Sequence, residues 1–306
     1  MEKLRIFCVT DIELRYLEKL NLSLAGVGKK RFKKEYITCI NGKNIQKKEK
    51  YYSELTFHYW FWKNQLKKFN NNIWIGFCQK RRFWVKSDTK IKNLNDLKKN
   101  ILKTPHKSWK NYESIICKPI RLDNPKKMKL IKRGLKNIIK DPSIFFNKKK
   151  QNIKLHFDMH HGYGILDRAI KYLEKKDRND FQKFVNENYS FNPHIMFIAK
   201  KKVMNDWFKS LFKWLFKCEK EFGFKKGLSV AFLSNLSRNN HPLYKFVVDY
   251  DFKKFCNGVV LQSDFGMSLV ELNMSDKSCM ARWTVDRAQF RPSAMSASRG
   301  SRSPGP

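Results

Sequence analysis

The chain has 306 residues, 65 Lys and Arg against 27 Asp and Glu for a formal net charge of +38, and 42% hydrophobic residues. That apolar share is enough to bury a substantial core, which excludes disorder along the whole length, and the charge ordinarily signals a polyanionic partner. Part of the charge follows instead from the Lys, Asn, Ile and Phe bias of an AT-rich coding sequence. No run reaches the roughly 18 consecutive apolar residues of a membrane span, and the N-terminus lacks a signal-peptide layout, so the protein is expected to be made and kept in the cytosol. Seven Cys occur singly with no CxxC pair, which argues against a disulfide framework or a structural zinc site.

Leu4 to Thr10 reads as a short buried strand ending in small polar residues, and Leu14, Leu17, Leu20 and Leu24 then recur at helical spacing. Gly26 and Gly28 break that pattern, and Lys34 to Ile40 reads as a second strand closed by Asn41-Gly42. Strand, helix, strand points to an α/β sheet. Ser53 to Lys68 predicts a buried helix with Ser53 as its cap and Glu54 in its first turn. Ile73 to Cys78 is apolar on both faces, as a central strand would be. Ser87 to Leu102 has weak helical periodicity, Ser114 to Cys117 is a further strand, and residues 123 to 151 read as a solvated, Lys-rich helix and loop. The segment from Leu155 to Gly162 reads as extended, which would set His156, Asp158 and His160 on one side. Beyond it come helices carrying Leu166, Ile170 and Leu173 and then Phe181 to Val185, a loop Ser190 to His194, a strand Ile195 to Ala199 and a long helix Val203 to Phe222.

From Asp264 on there is one Lys against five Arg, and Ser, Ala, Gly and Pro replace Asn, Ile and Phe. Such a change is consistent with a different coding context, such as a frameshift or fusion. The expected division is a single folded domain over 1–262, with the part from about 226 less defined, and a disordered C-terminal tail over 263–306.

Several side chains could carry chemistry. Arg81 and Arg82 follow a buried strand, at the edge where open α/β sheets bind ligands, and a guanidinium can fork onto phosphate oxygens. A solvated basic turn is the plainer alternative. Glu54 and His58 lie one helical turn apart, and could orient each other or a hydroxyl-rich ligand. His156, Asp158, His160 and His161 form a dense polar cluster better suited to hydrogen-bonding sugar or phosphate than to holding a metal. His194 follows Asn192-Pro193 on a loop entering a strand. Asp249-Tyr250-Asp251 has the spacing of a cation-binding acidic pair, but it comes late in the chain. A divalent metal is therefore not favoured, and no cofactor is assigned. The helix from Val203 to Phe222 combines Trp and Phe with Lys, a composition that serves at a membrane interface or, more commonly, against a core.

The runs YYSELTFHYWFWKN (51–64), WIGFCQKRRFW (74–84), HFDMHHG (156–162) and SFNPHIMFI (190–198), taken in order, resemble a bacterial family of domains of unknown function linked to capsular polysaccharide synthesis and regarded as glycosyltransferases of the GT-A fold. The resemblance spans roughly residues 3 to 225. It implies a Rossmann-related central sheet flanked by helices and transfer of a sugar from a nucleotide-sugar donor to a glycan or lipid-linked acceptor, with peripheral contact at the inner face of the membrane as one setting. The family's acidic helix maps on Glu54 and its paired arginines on Arg81 and Arg82. Thr10, His58, His161, Asn192 and His194 complete the expected substrate-binding set, with Asp158 as the candidate general base. Many relatives have a His-Tyr pair where this chain has Gln79-Lys80, and an Asn where it has Ile195. Two alternatives stand beside this reading: a basic polyanion-binding module and a folded, inactive remnant. No specific nucleic-acid site is expected, because the aromatics lie in apolar elements rather than among exposed basic residues.

Overall fold

The computed structural model describes residues 3–28, 31–86, 91–117, 119–122, 127–192, 195–223, 259–261, 267–273 and 282–285. In chain order, β1 (Leu4–Thr10) leads through α1 (Arg15–Glu18) to β2 (Ser23–Gly26) and the short β3 (Ile37–Thr38). The pair α2 (Glu49–Tyr52) and α3 (Leu55–Asn64) precedes the hairpin of β4 (Trp74–Gln79) and β5 (Arg82–Lys86). Next come α4 (Leu94–Asn100), β6 (Ser114–Ile116), β7 (Ile120–Arg121) and α5 (Lys127–Lys140). The second half holds α6 (Ile153–His161), α7 (Ile165–Ile170), α8 (Lys175–Glu187), β8 (Ser190–Phe191), β9 (Phe197–Lys200) and α9 (Lys201–Phe222). Three further strands follow, β10 (Val259–Leu261), β11 (Met267–Asn273) and β12 (Arg282–Val285).

The main sheet runs β10-β6-β9-β4-β1-β2-β3. β1 pairs in parallel with both β2 and β4, while β9 lies antiparallel between β4 and β6. Period-two alternation divides the central strands between two cores. Phe7, Val9, Ile75 and Phe77 face α3 and α9, whereas Ile6, Cys8, Trp74 and Cys78 face the opposite layer with Trp84, Leu97 and Trp109. The result is the expected mixed α/β class, a central sheet flanked by helices. Gly76 is required where the strands crowd: a Cβ there would lie 2.9 Å from Ile198 Cγ1 and 3.2 Å from Ile6 Cγ1.

Several local expectations change. The Leu periodicity yields only the one-turn α1, because Asn21 turns the chain at φ 53 and Leu24 enters β2 beside β1. Ser53 does not cap α3; it closes α2 at φ 47, and Glu54 takes the N-cap position. Residues 155–161 are helical, not extended, because Asn152 caps α6 by accepting from the Leu155 amide at 2.9 Å and Ile153, Leu155, Phe157 and Met159 find buried positions. His156, Asp158 and His160 therefore do not share one side of a strand. α9 packs on the core through Trp207, Phe208, Leu211, Phe212 and Trp214. Two strands, β11 and β12, fall inside the stretch for which composition predicts low order, with β11 antiparallel to β5; the rest of that stretch, and Asp249 to Asp251, lie outside the described residues. Among the described residues Cys8, Cys39, Cys78, Cys117 and Cys218 are buried thiols and none forms a disulfide.

Candidate functional site

The strand order changes direction at β1: β2 and β3 extend the sheet on one side, β4 and β9 on the other. In open α/β sheets the crevice at the carboxyl ends of the strands, at such a switch point, is where ligands bind. Here it is bordered by Thr10 at the end of β1, Gly26 to Gly28 beyond β2, and Gln79 to Arg82 around the β4–β5 turn.

A narrow cleft opens at this edge, lined by Val9, Glu54, His58, Phe77, Cys78, Gln79, Ile195 and Met196. It is tightly packed and has no room for a water-sized sphere, so it is a crevice between side chains and not a preformed small-molecule cavity.

The polar groups of the cleft form a relay. Gln79, buried at the end of β4, donates through Nε2 to Glu54 Oε1 at 3.0 Å and accepts at Oε1 from the Arg82 guanidinium at 3.1 Å. Glu54 thus fixes Gln79, and Gln79 fixes Arg82. Arg81 is exposed in the turn, whereas Arg82 is half-buried and held by Gln79. The turn is further tied by the Tyr16 hydroxyl, which donates to the Lys80 carbonyl, and by an ion pair between Lys80 and Asp11.

His58 faces the cleft with its ring 4.2 Å from Phe77 and near Trp207 and Phe208. Its Nδ1 has no hydrogen-bond partner among the described residues. Burial pushes the imidazole down to about 3, so it stays neutral. Beside β2, Gly28 adopts φ +98 and an added Cβ would lie 3.5 Å from the Glu49 carboxyl carbon. Burial first, and the Asp11 charge second, raise the Glu49 carboxyl above its ordinary range.

The structure therefore brings together Glu54, His58 and Arg82, with Arg81 at the rim. Thr10 lies at the same edge, but its hydroxyl is closed on its own turn, donating to the Ile12 carbonyl at 2.6 Å and accepting from the Ile12 amide at 3.2 Å. Asn192 is buried after β8, and the segment resumes at the cleft-lining Ile195 and Met196. Asp158 is not among the residues lining the cleft. Its carboxylate accepts from Asn137 Nδ2 at 2.9 Å and from the Gly164 amide at 3.3 Å, and burial raises its pKa above the usual carboxylate range. His161 lies in the last turn of α6 with its side chain outside the described residues, as is His194 altogether. The sequence reading missed Gln79, although a polar residue closing a fully apolar strand is a recognisable signal.

Among the described residues no group of three or more His, Cys, Asp or Glu stands together to hold a metal ion. Lys80 and Arg81 in the turn after β4, and Arg82 at the start of β5, are cationic side chains that offer a divalent cation no ligand.

The domain of unknown function DUF4422 matches residues 8–231. The chain belongs to the DUF4422 family. Its match covers every cleft residue, from Val9 to Met196. Among curated proteins none matches the DUF4422 chain. Its structure is similar to the apo structure of the WbbM bifunctional glycosyltransferase, with a TM-score of 0.53 and 12% identity, over 87% of this chain and 45% of that one. The chain thus spans less than half of that protein's length, and at this identity the likeness establishes a shared fold. Among the described residues no helix is long and apolar enough to cross a membrane.

Proposed function

We propose that this DUF4422 protein is a glycosyltransferase that moves a sugar from a nucleotide-sugar donor onto a glycan or lipid-linked acceptor in capsular or surface polysaccharide assembly. The observation that carries the reading is the Glu54–Gln79–Arg82 relay at the switch point of a sheet whose fold resembles a glycosyltransferase. In this reading Arg81 and Arg82 hold the donor diphosphate. As the bond from sugar to phosphate breaks, negative charge grows on the departing nucleoside diphosphate, and guanidinium groups placed in advance stabilise it more than they stabilise the intact donor. This is the role a divalent cation would otherwise take, so transfer is expected to persist under chelation. The scattered reduced thiols support a cytoplasmic setting, where activated sugars are available.

The reading is tested by incubating the protein with a panel of nucleotide sugars and quantifying nucleoside diphosphate release, with and without glycan or lipid-linked acceptors and with a chelator. Acceptor-stimulated release from a particular donor supports it. A folded protein that releases nothing from any donor, or binds nucleic acid of one sequence in preference to others at elevated salt, refutes it.

A further inference from the structure

We infer that the outward face of α5, together with the turn that follows it, docks on an anionic lipid surface. α5 buries Leu130 against Leu155 and Met159, and Asn137 on the same side bonds Asp158. At 100° per residue, Ile131, Leu135 and Ile139 fall on a neighbouring arc about 80° wide. There they meet solvent, being 43%, 53% and 70% exposed. Phe146, just beyond the helix, is 83% exposed. Isolated exposed apolar residues are ordinary on a protein surface; three in register on one helix with an aromatic beyond its end are not.

Charge says what covers this face. From residue 127 to 150 there are nine Lys or Arg and a single acid, Asp141, and Asp141 is occupied by Lys150 at 2.6 Å. Arg133 and Lys136 are exposed on the arc beyond the apolar stripe. An apolar strip bordered by cations suits a bilayer interface, where aliphatic side chains enter the acyl boundary and the basic groups stay level with anionic headgroups. A partner protein surface would have to be both apolar and strongly acidic to match it. α9, the helix whose composition suggested a membrane role, buries Trp207, Phe208, Phe212, Trp214 and Phe222 in the core, so the role falls to α5. The inference stands independently of sugar transfer, although it would bring a lipid-linked acceptor to the enzyme.

The test is flotation of the full chain with vesicles of mixed phosphatidylglycerol and phosphatidylcholine, across a salt series. A protein this basic binds anionic vesicles through charge alone, so the decisive variant keeps every charge: Ile131→Ser, Leu135→Ser and Ile139→Ser combined. Because these side chains are exposed, the melting temperature should hold while vesicle affinity falls at least about tenfold, most clearly at high salt. A second variant, Arg133→Glu with Lys136→Glu, should also weaken binding and remains informative if the first folds poorly. Equal flotation of parent and both variants overturns the inference. So does a parent that self-associates without lipid and becomes monomeric in the triple variant, since a second copy would then be the occupant.

Discussion

His58 both lines the cleft and packs as an aromatic ring. Its ring lies among Phe77, Phe197, Trp207 and Phe208. The unfolded chain takes up its proton near 6.5 and the folded chain only near 3. A base with a depressed folded pKa contributes fully above about pH 6.5, and its contribution is lost as pH falls toward the folded value. At about 1.4 kcal/mol per unit, acidification to about pH 5 should cost about 2 kcal/mol through this group. His58→Phe should remove that acid sensitivity, as seen by denaturant unfolding at about pH 7 and about pH 5; an unchanged loss in the variant would contradict the assignment. Asp158 makes the complementary case. Its bonds to Asn137 and the Gly164 amide tie α5 to the turn between α6 and α7. Asp158→Ala should therefore lower stability by about 1–3 kcal/mol, with Asp158→Asn recovering part of it. A general base in contact with the acceptor would behave in the opposite way, losing turnover in both variants while the melting temperature held.

At the scale of elements, the sequence was legible wherever burial was two-sided or long. β1, β4, β9, α3 and α9 each present an apolar run whose length and period distinguish strand from helix. α6 was not legible, because polar residues alternating with apolar ones imitate a strand, and the deciding feature is the cap at Asn152, which depends on where the helix starts. β5 was hidden by the basic turn before it, since the Lys80-Arg81 pair looks like a loop until Phe83, Trp84 and Val85 are seen buried behind it. Half of the candidate site was likewise readable: Glu54, Arg81 and Arg82 sit at element ends, but the Gln79 link from Glu54 to Arg82 is a tertiary contact, and the polar residue closing β4 does not by itself name its partners. β5 also bears on the end of the chain. It is anchored without β11, through Trp84 Nε1 donating to the Phe77 carbonyl and the Leu102 amide donating to the Trp84 carbonyl, both at 2.9 Å. A chain ending at residue 262 should thus keep a cooperative melt within a few degrees of the parent. Loss of cooperative unfolding would make β11 and β12 structural parts of the sheet.

For the whole molecule, the order β9-β4-β1-β2-β3 matters more than the net charge of +38. The charge would draw almost any polyanion, whereas the sheet concentrates two arginines and a fixed carboxamide at one edge and leaves the opposite edge without them. Function then depends on which ligand uses that edge. The most direct measurement is thermal protection by nucleoside diphosphates and nucleotide sugars, compared between the parent and Arg81→Ala. Arg81 is exposed in its turn, so the unliganded melting temperature should barely move. The account predicts that a nucleotide-sugar donor raises the parent's melting temperature and that Arg81→Ala loses most of that rise, with affinity reduced about tenfold or more. Equal protection of both proteins, or no protection of the parent by any nucleotide, would contradict it.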